Sequence, residues 1–168
     1  MRRFAILLDS SEAPDAAIDF SADLLASYGV KATWFVAQQG DAVERLGRRT
    51  ALFELISAER RSETLARFPN AWHDERALEQ ENANWDVTAI LARDEPLTVL
   101  VFRPLHVLLN LREASARRAL LDSAPALREL SAAQMTAHTQ AGLGTRSLLL
   151  SLLSHVSGGT AAVRLSDL

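Results

Sequence analysis

The chain has 168 residues, 48% of them apolar and 23% charged, and it contains no cysteine. The apolar fraction excludes a wholly disordered chain; the missing cysteine excludes disulfides, zinc–thiolate sites and thiol nucleophiles. A net charge of −3 argues against a nucleic-acid surface, because such surfaces carry a basic excess.

This length predicts a single domain over residues 1–168. The densest apolar stretch, Leu97 to Leu111, is interrupted by Arg103, His106 and Asn110, so it falls short of the ~20 apolar residues a bilayer span requires. After Met1-Arg2-Arg3 only five apolar residues precede Asp9, fewer than the roughly 7–15 of a secretory leader. A cytoplasmic protein with no membrane partner is expected. The basic residues are 17 arginines and Lys31, a usage that fits a GC-rich bacterial coding bias rather than a binding surface.

Phe4 to Leu8 reads as a strand buried on both faces. Pro14 suits the first position of a helix, where its missing N–H costs nothing, and Asp15 and Asp19 suit the positive end of the helix dipole. Ala17, Phe20, Leu24 and Tyr28 recur at helical spacing, with Ile18 and Leu25 beside them, until Gly29 stops the helix. Val30 to Ala37 follows as a second buried strand. Strand, helix and strand at this spacing form a βαβ unit with parallel strands. Asp41 to Leu46 predicts a short helix broken at Gly47-Arg48-Arg49. Leu52 to Ile56 fits either a third strand or the start of a helix towards Leu65. Ser57 to Arg67 is charged and weakly patterned, and Pro69 to Trp85 has no clean period. Val99 to Phe102 predicts another strand. The last third reads as helical, over 112–121, 124–130, 131–139 and from Thr145 towards Gly158. The expected fold is α/β: an incomplete barrel-like parallel sheet of four or five strands, flanked by helices.

Asp9 ends the first strand on the side where parallel sheets and barrels place functional side chains. Position alone leaves a turn or capping aspartate equally open. Glu12 fits a solvated or capping residue better than a site residue. The four histidines, at 73, 106, 138 and 155, share no metal-ligand spacing. His106 follows the Val99–Phe102 strand closely enough to reach the same end of the sheet as Asp9, although its position fits a satisfied structural histidine somewhat better. No Gly-x-Ser-x-Gly elbow and no glycine-rich phosphate loop is present.

Taken together, these segments resemble the polysaccharide deacetylase superfamily, in the branch associated with bacterial surface polysaccharides. Ile6-Leu7-Leu8-Asp9-Ser10-Ser11-Glu12-Ala13-Pro14-Asp15 is similar to its opening strand and helix start. Tyr28-Gly29-Val30-Lys31-Ala32-Thr33-Trp34-Phe35-Val36 is similar to its Gly-Val-Lys-Ala-Thr strand and is the most specific match. Arg67-Phe68-Pro69 with Trp72 resembles a later Arg-x-Pro-Tyr segment. Arg103-Pro104-Leu105-His106-Val107-Leu108-Leu109-Asn110 resembles a His-Pro-x-His-x-x-Leu-Asn segment, and Gly142-Leu143-Gly144-Thr145-Arg146 also fits.

The resemblance implies divalent-metal (zinc) hydrolysis of N-acetyl groups on saccharides. It implies Asp9 as general base and His106 as the second catalytic residue; Glu12, Arg67, Trp72 and Arg103 are the candidate binding residues. The departures are specific. Ser11 stands where a metal-binding aspartate is expected, and Arg103 replaces the first histidine of the later motif. No histidine occurs before His73, and the family's central block is missing from a chain shorter than the ~250 residues of a full barrel. No metal ligand is therefore assigned, and hydrolysis by the family route is expected to be lost or severely weakened. Three other readings stay open: a site rebuilt from Asp9, Glu12, His73 and His106; a non-catalytic saccharide- or partner-binding module that associates with its own copies through an open sheet edge; and a deletion remnant.

Overall fold

The computed structural model describes residues 2–11, 13–37, 40–73, 90, 92–104, 107, 152–154 and 161–168. Its centre is a five-stranded parallel sheet flanked by helices. Strand β1 (Arg3–Asp9) leads into helix α1 (Asp15–Ser27), strand β2 (Ala32–Val36), helix α2 (Asp41–Arg48) and strand β3 (Phe53–Ser57). A 3-10 turn at Ala58–Arg60 opens into the short helix α3 (Arg61–Ala66). Strands β4 (Trp72–His73) and β5 (Leu97–Phe102) follow, and among the described residues the sheet runs in the order β3-β2-β1-β5-β4. Every pairing is parallel, so the βαβ reading of the first strands holds.

Local chemistry explains the joints. Pro14 is the N-cap of α1 rather than its first helical residue, with extended φ −65° and ψ 153°. Gly29 takes the left-handed φ of 64°, which glycine reaches without Cβ strain. Val30 N–H then returns to Leu25 O at 3.1 Å, closing the end of α1. Gly47 does not break α2, which runs on to Arg48. The ambiguous Leu52–Ile56 stretch resolves as the edge strand β3, held by β2 along its full length.

Alternation along the strands creates two unlike faces. On one, Phe4, Ile6, Leu8, Trp34, Phe53, Leu100 and Phe102 pack beneath Ile18 and Leu25 of α1 and Leu46 of α2. The other carries the smaller cluster Ala5, Leu7, Phe35, Val99 and Val101, against which Leu65, Phe68 and Leu165 pack. The C-terminal segment reaches this second face by a parallel bridge between Phe4 and Ala162. Leu165 N–H donates to Thr33 Oγ1 at 3.1 Å, and Ser166 N–H donates to Glu54 Oε2 at 3.1 Å. The helices expected over 112–139 lie outside the described residues; Leu152 and Leu153, farther on, are buried in the larger core. No helix among the described residues is long and apolar enough to cross a membrane.

Candidate functional site

Asp9 is the last residue of β1 and continues the face of Ala5 and Leu7, the smaller-core face of the sheet. Its side chain is only 7% exposed. A carboxylate at that depth needs compensation from hydrogen bonds or a counter-charge, and both are supplied. Oδ1 accepts from Ser11 Oγ at 2.7 Å and from Ser11 N–H at 3.3 Å. Oδ2 lies 2.7 Å from Arg61 Nε. Next to it, Ser10 binds the end of β1 to β2: its N–H and its Oγ donate to Phe35 O at 3.0 and 2.6 Å.

Arg61 was not legible as a site residue. It begins α3, just past the C-terminal end of β3, in a stretch with no hydrophobic period. β3 is two strands from β1, with β2 between them, so the arginine reaches across the mouth of the Asp9 face. One signal was available in the sequence: a basic residue shortly after an apolar run that ends at Ile56, and so at the functional edge of a parallel sheet.

The other candidates separate. Glu12 and His106 lie outside the described residues. Arg103 follows β5 and is half-buried; extending the Leu8–Phe102 register by one residue sets it level with Asp9. His73 pairs with Val101, which pairs with Leu7, so His73 shares the Asp9 face. Two strand spacings and a two-residue offset still put its Cα roughly 12 Å from that of Asp9. Trp72 belongs to the opposite face, where its ring packs on Phe102 at 5.5 Å between centroids. Arg67 is at the other end of the sheet. Its guanidinium lies 5.4 Å from the centre of the Phe68 ring, and both line a cavity of about 240 Å³ with Pro96 and Leu97. Leu97 pairs with Arg3, at the opposite end of β1 from Asp9. Asp9 and Arg103 are thus the sequence candidates placed at the same sheet edge, whereas Arg67 and Trp72 lie elsewhere.

The divalent ion implied by the resemblance does not fit these donors. One oxygen of Asp9 faces a guanidinium, the other is held by Ser11, and the Ser10 hydroxyl is engaged by Phe35. Among the described residues no group of three or more His, Cys, Asp or Glu side chains could hold a metal ion.

No family model matches the chain, and no curated protein matches it. A solved structure does. It is a crystal structure from Bordetella bronchiseptica, described as a candidate polysaccharide deacetylase involved in O-antigen biosynthesis. The two share 21% identity over 91% of this chain and 90% of that one, with a TM-score of 0.50. The likeness is one of fold. It agrees with the α/β architecture and the parallel sheet expected from the strand motifs, and at this identity it assigns no residue a role.

Proposed function

We propose that this chain is a polysaccharide deacetylase-like protein that recognises saccharides and in which metal-dependent hydrolysis is lost or severely weakened. The fold likeness supports the saccharide class. The observation that carries the second half is the state of Asp9, with one oxygen held by Ser11 and the other 2.7 Å from Arg61. Amide hydrolysis needs a strongly activated water, and a positioned carboxylate alone contributes only about 10²–10⁴-fold. A base already engaged by a guanidinium and a hydroxyl contributes less. Saccharide hydroxyls both donate and accept hydrogen bonds, so the partly exposed guanidiniums of Arg61 and Arg103, at this end of the sheet, could serve them as donors.

The test pairs two measurements on the full chain. Acetate release is followed from N-acetylated oligosaccharides with added zinc, and binding of the same oligosaccharides is followed by calorimetry. Binding without acetate release is the expected result. Acetate release that Asp9→Asn abolishes overturns the loss of hydrolysis, and absence of any saccharide binding overturns the saccharide class.

A further inference from the structure

We infer that the guanidinium of Arg61 is the resident cation of the Asp9 site, standing where a divalent ion would have to bind and keeping such ions off the carboxylate. This rests on Asp9 being the site residue of the proposed function, and it adds what fills that site.

Three observations lead to it. Asp9 is a nearly buried carboxylate, and a buried charge persists only when it is matched. The matching charge comes from a distant element, the start of α3 beyond β3, and not from a neighbour in sequence. Its Nε stands 2.7 Å from Oδ2, within the space a hard cation would take, since such ions sit about 2.0–2.6 Å from carboxylate oxygens. A guanidinium is a delocalised, weakly hydrated cation suited to buried ion pairs. Unlike a metal ion it is tethered and has no open coordination position for water. The site therefore carries its cation permanently, in a form that balances Asp9 and activates nothing.

Manganese(II) alone, titrated into the full chain and followed by calorimetry and paramagnetic line broadening, tests this. Wild type and Asp9→Asn are expected to take up the ion alike. Arg61→Gln is expected to bind it at least ten-fold more tightly, and the double variant Asp9→Asn/Arg61→Gln to lose that gain. Arg61→Lys, which keeps the charge, is expected to behave as wild type. A stoichiometric manganese site in the wild type that Asp9→Asn abolishes overturns the inference, as does a folded Arg61→Gln protein with no gain. If Arg61→Gln does not fold, the wild type, Asp9→Asn and Arg61→Lys still decide the matter. Failure here is distinct from failure of the functional reading. Manganese uptake through Asp9 without acetate release removes the resident cation and leaves saccharide recognition standing, whereas absence of saccharide binding leaves the Asp9–Arg61 pair intact.

Discussion

Arg61 Nε and Asp9 Oδ2 stand 2.7 Å apart, and the two residues are unequally buried: the arginine side chain is 25% exposed and the aspartate 7%. That inequality sets which partner the fold can lose. Without Arg61, a buried carboxylate is left with Ser11; without the Asp9 charge, the Arg61 Nε stays buried, but the side chain as a whole is a quarter exposed and its charge is partly hydrated. Arg61→Ala is therefore expected to cost roughly 1–3 kcal/mol, less than a fully buried broken pair because solvent reaches the arginine. Asp9→Asn keeps an oxygen for Ser11 and is expected to cost about 1 kcal/mol or less. Urea unfolding of the two variants checks the order, and a larger loss in Asp9→Asn than in Arg61→Ala would refute it.

Acid stability has a separate origin, at the C-terminal segment. The Arg164 side chain, in a two-point contact, and the Arg164 backbone N–H hold the Asp167 carboxyl well below its usual range, at about 2, with Lys31 adding a weaker attraction. A carboxylate whose pKa is depressed in the folded state contributes stability that is complete above its unfolded value near 3.9. The contribution fades as pH falls from about 4 to about 2. Both side chains are about a quarter exposed, so screening limits it to roughly 1 kcal/mol or less. Asp167→Asn should differ from wild type at pH 6 and converge with it near pH 2. Unfolding free energies measured across that interval check it, and a difference that grows on acidification contradicts it.

What the sequence disclosed follows the range of the interactions involved. β1, α1 and β2 were legible because Phe4–Leu8, the helical spacing of apolar residues from Ala17 and Gly29 are local signals, although the stripe that α1 buries is Ile18-Ser21-Ala22-Leu25, with Phe20 and Leu24 at its margin. β3 was half legible: Leu52 to Ile56 is apolar enough for either element, and only pairing with β2 selects the strand. Two-residue β4 has too little length for any period and exists through its contact with β5. Asp9 could be placed at a strand end, but its partner could not, because Arg61 meets it only once β3, β2 and β1 lie side by side. The same holds for the last residues of the chain, where Ala162 bridges to Phe4 and Leu165 enters the smaller core. Neither contact has a sequence-local cause.

Trp34 offers a test of the larger core. It is fully buried and meets Phe53 edge to face at 5.6 Å between ring centroids. Its Nε1 has no hydrogen-bond partner among the described residues. A buried unpaired N–H is a penalty that phenylalanine does not carry, which offsets part of the volume lost on replacement. Trp34→Phe is expected to cost about 1 kcal/mol or less, against roughly 3–5 kcal/mol for Trp34→Ala, which opens a cavity. Thermal and urea unfolding of both variants measure the gap. Equal losses would mean that the indole N–H does find a partner.

Thr33 joins the C-terminal segment to the sheet. It is completely buried in β2; its hydroxyl donates to Glu54 Oε2 at 3.2 Å and accepts from Leu165 N–H at 3.1 Å. Thr33→Val keeps the shape and removes both bonds, leaving a buried backbone N–H unpaired, at an expected cost of roughly 1–3 kcal/mol. Leu165→Ala removes an apolar anchor that is 7% exposed and is expected to cost roughly 2–3 kcal/mol, the lower part of the range for such truncations. Because both act on the seating of one segment, the double variant should lose less than the sum of the single losses. Hydrogen exchange supplies the local readout: either substitution should speed exchange at Val163 N–H, which bonds Phe4 O, while leaving the β1–β5 ladder protected. Additive losses, or loss of protection spread evenly over the sheet, would show that the segment is not fastened through Thr33.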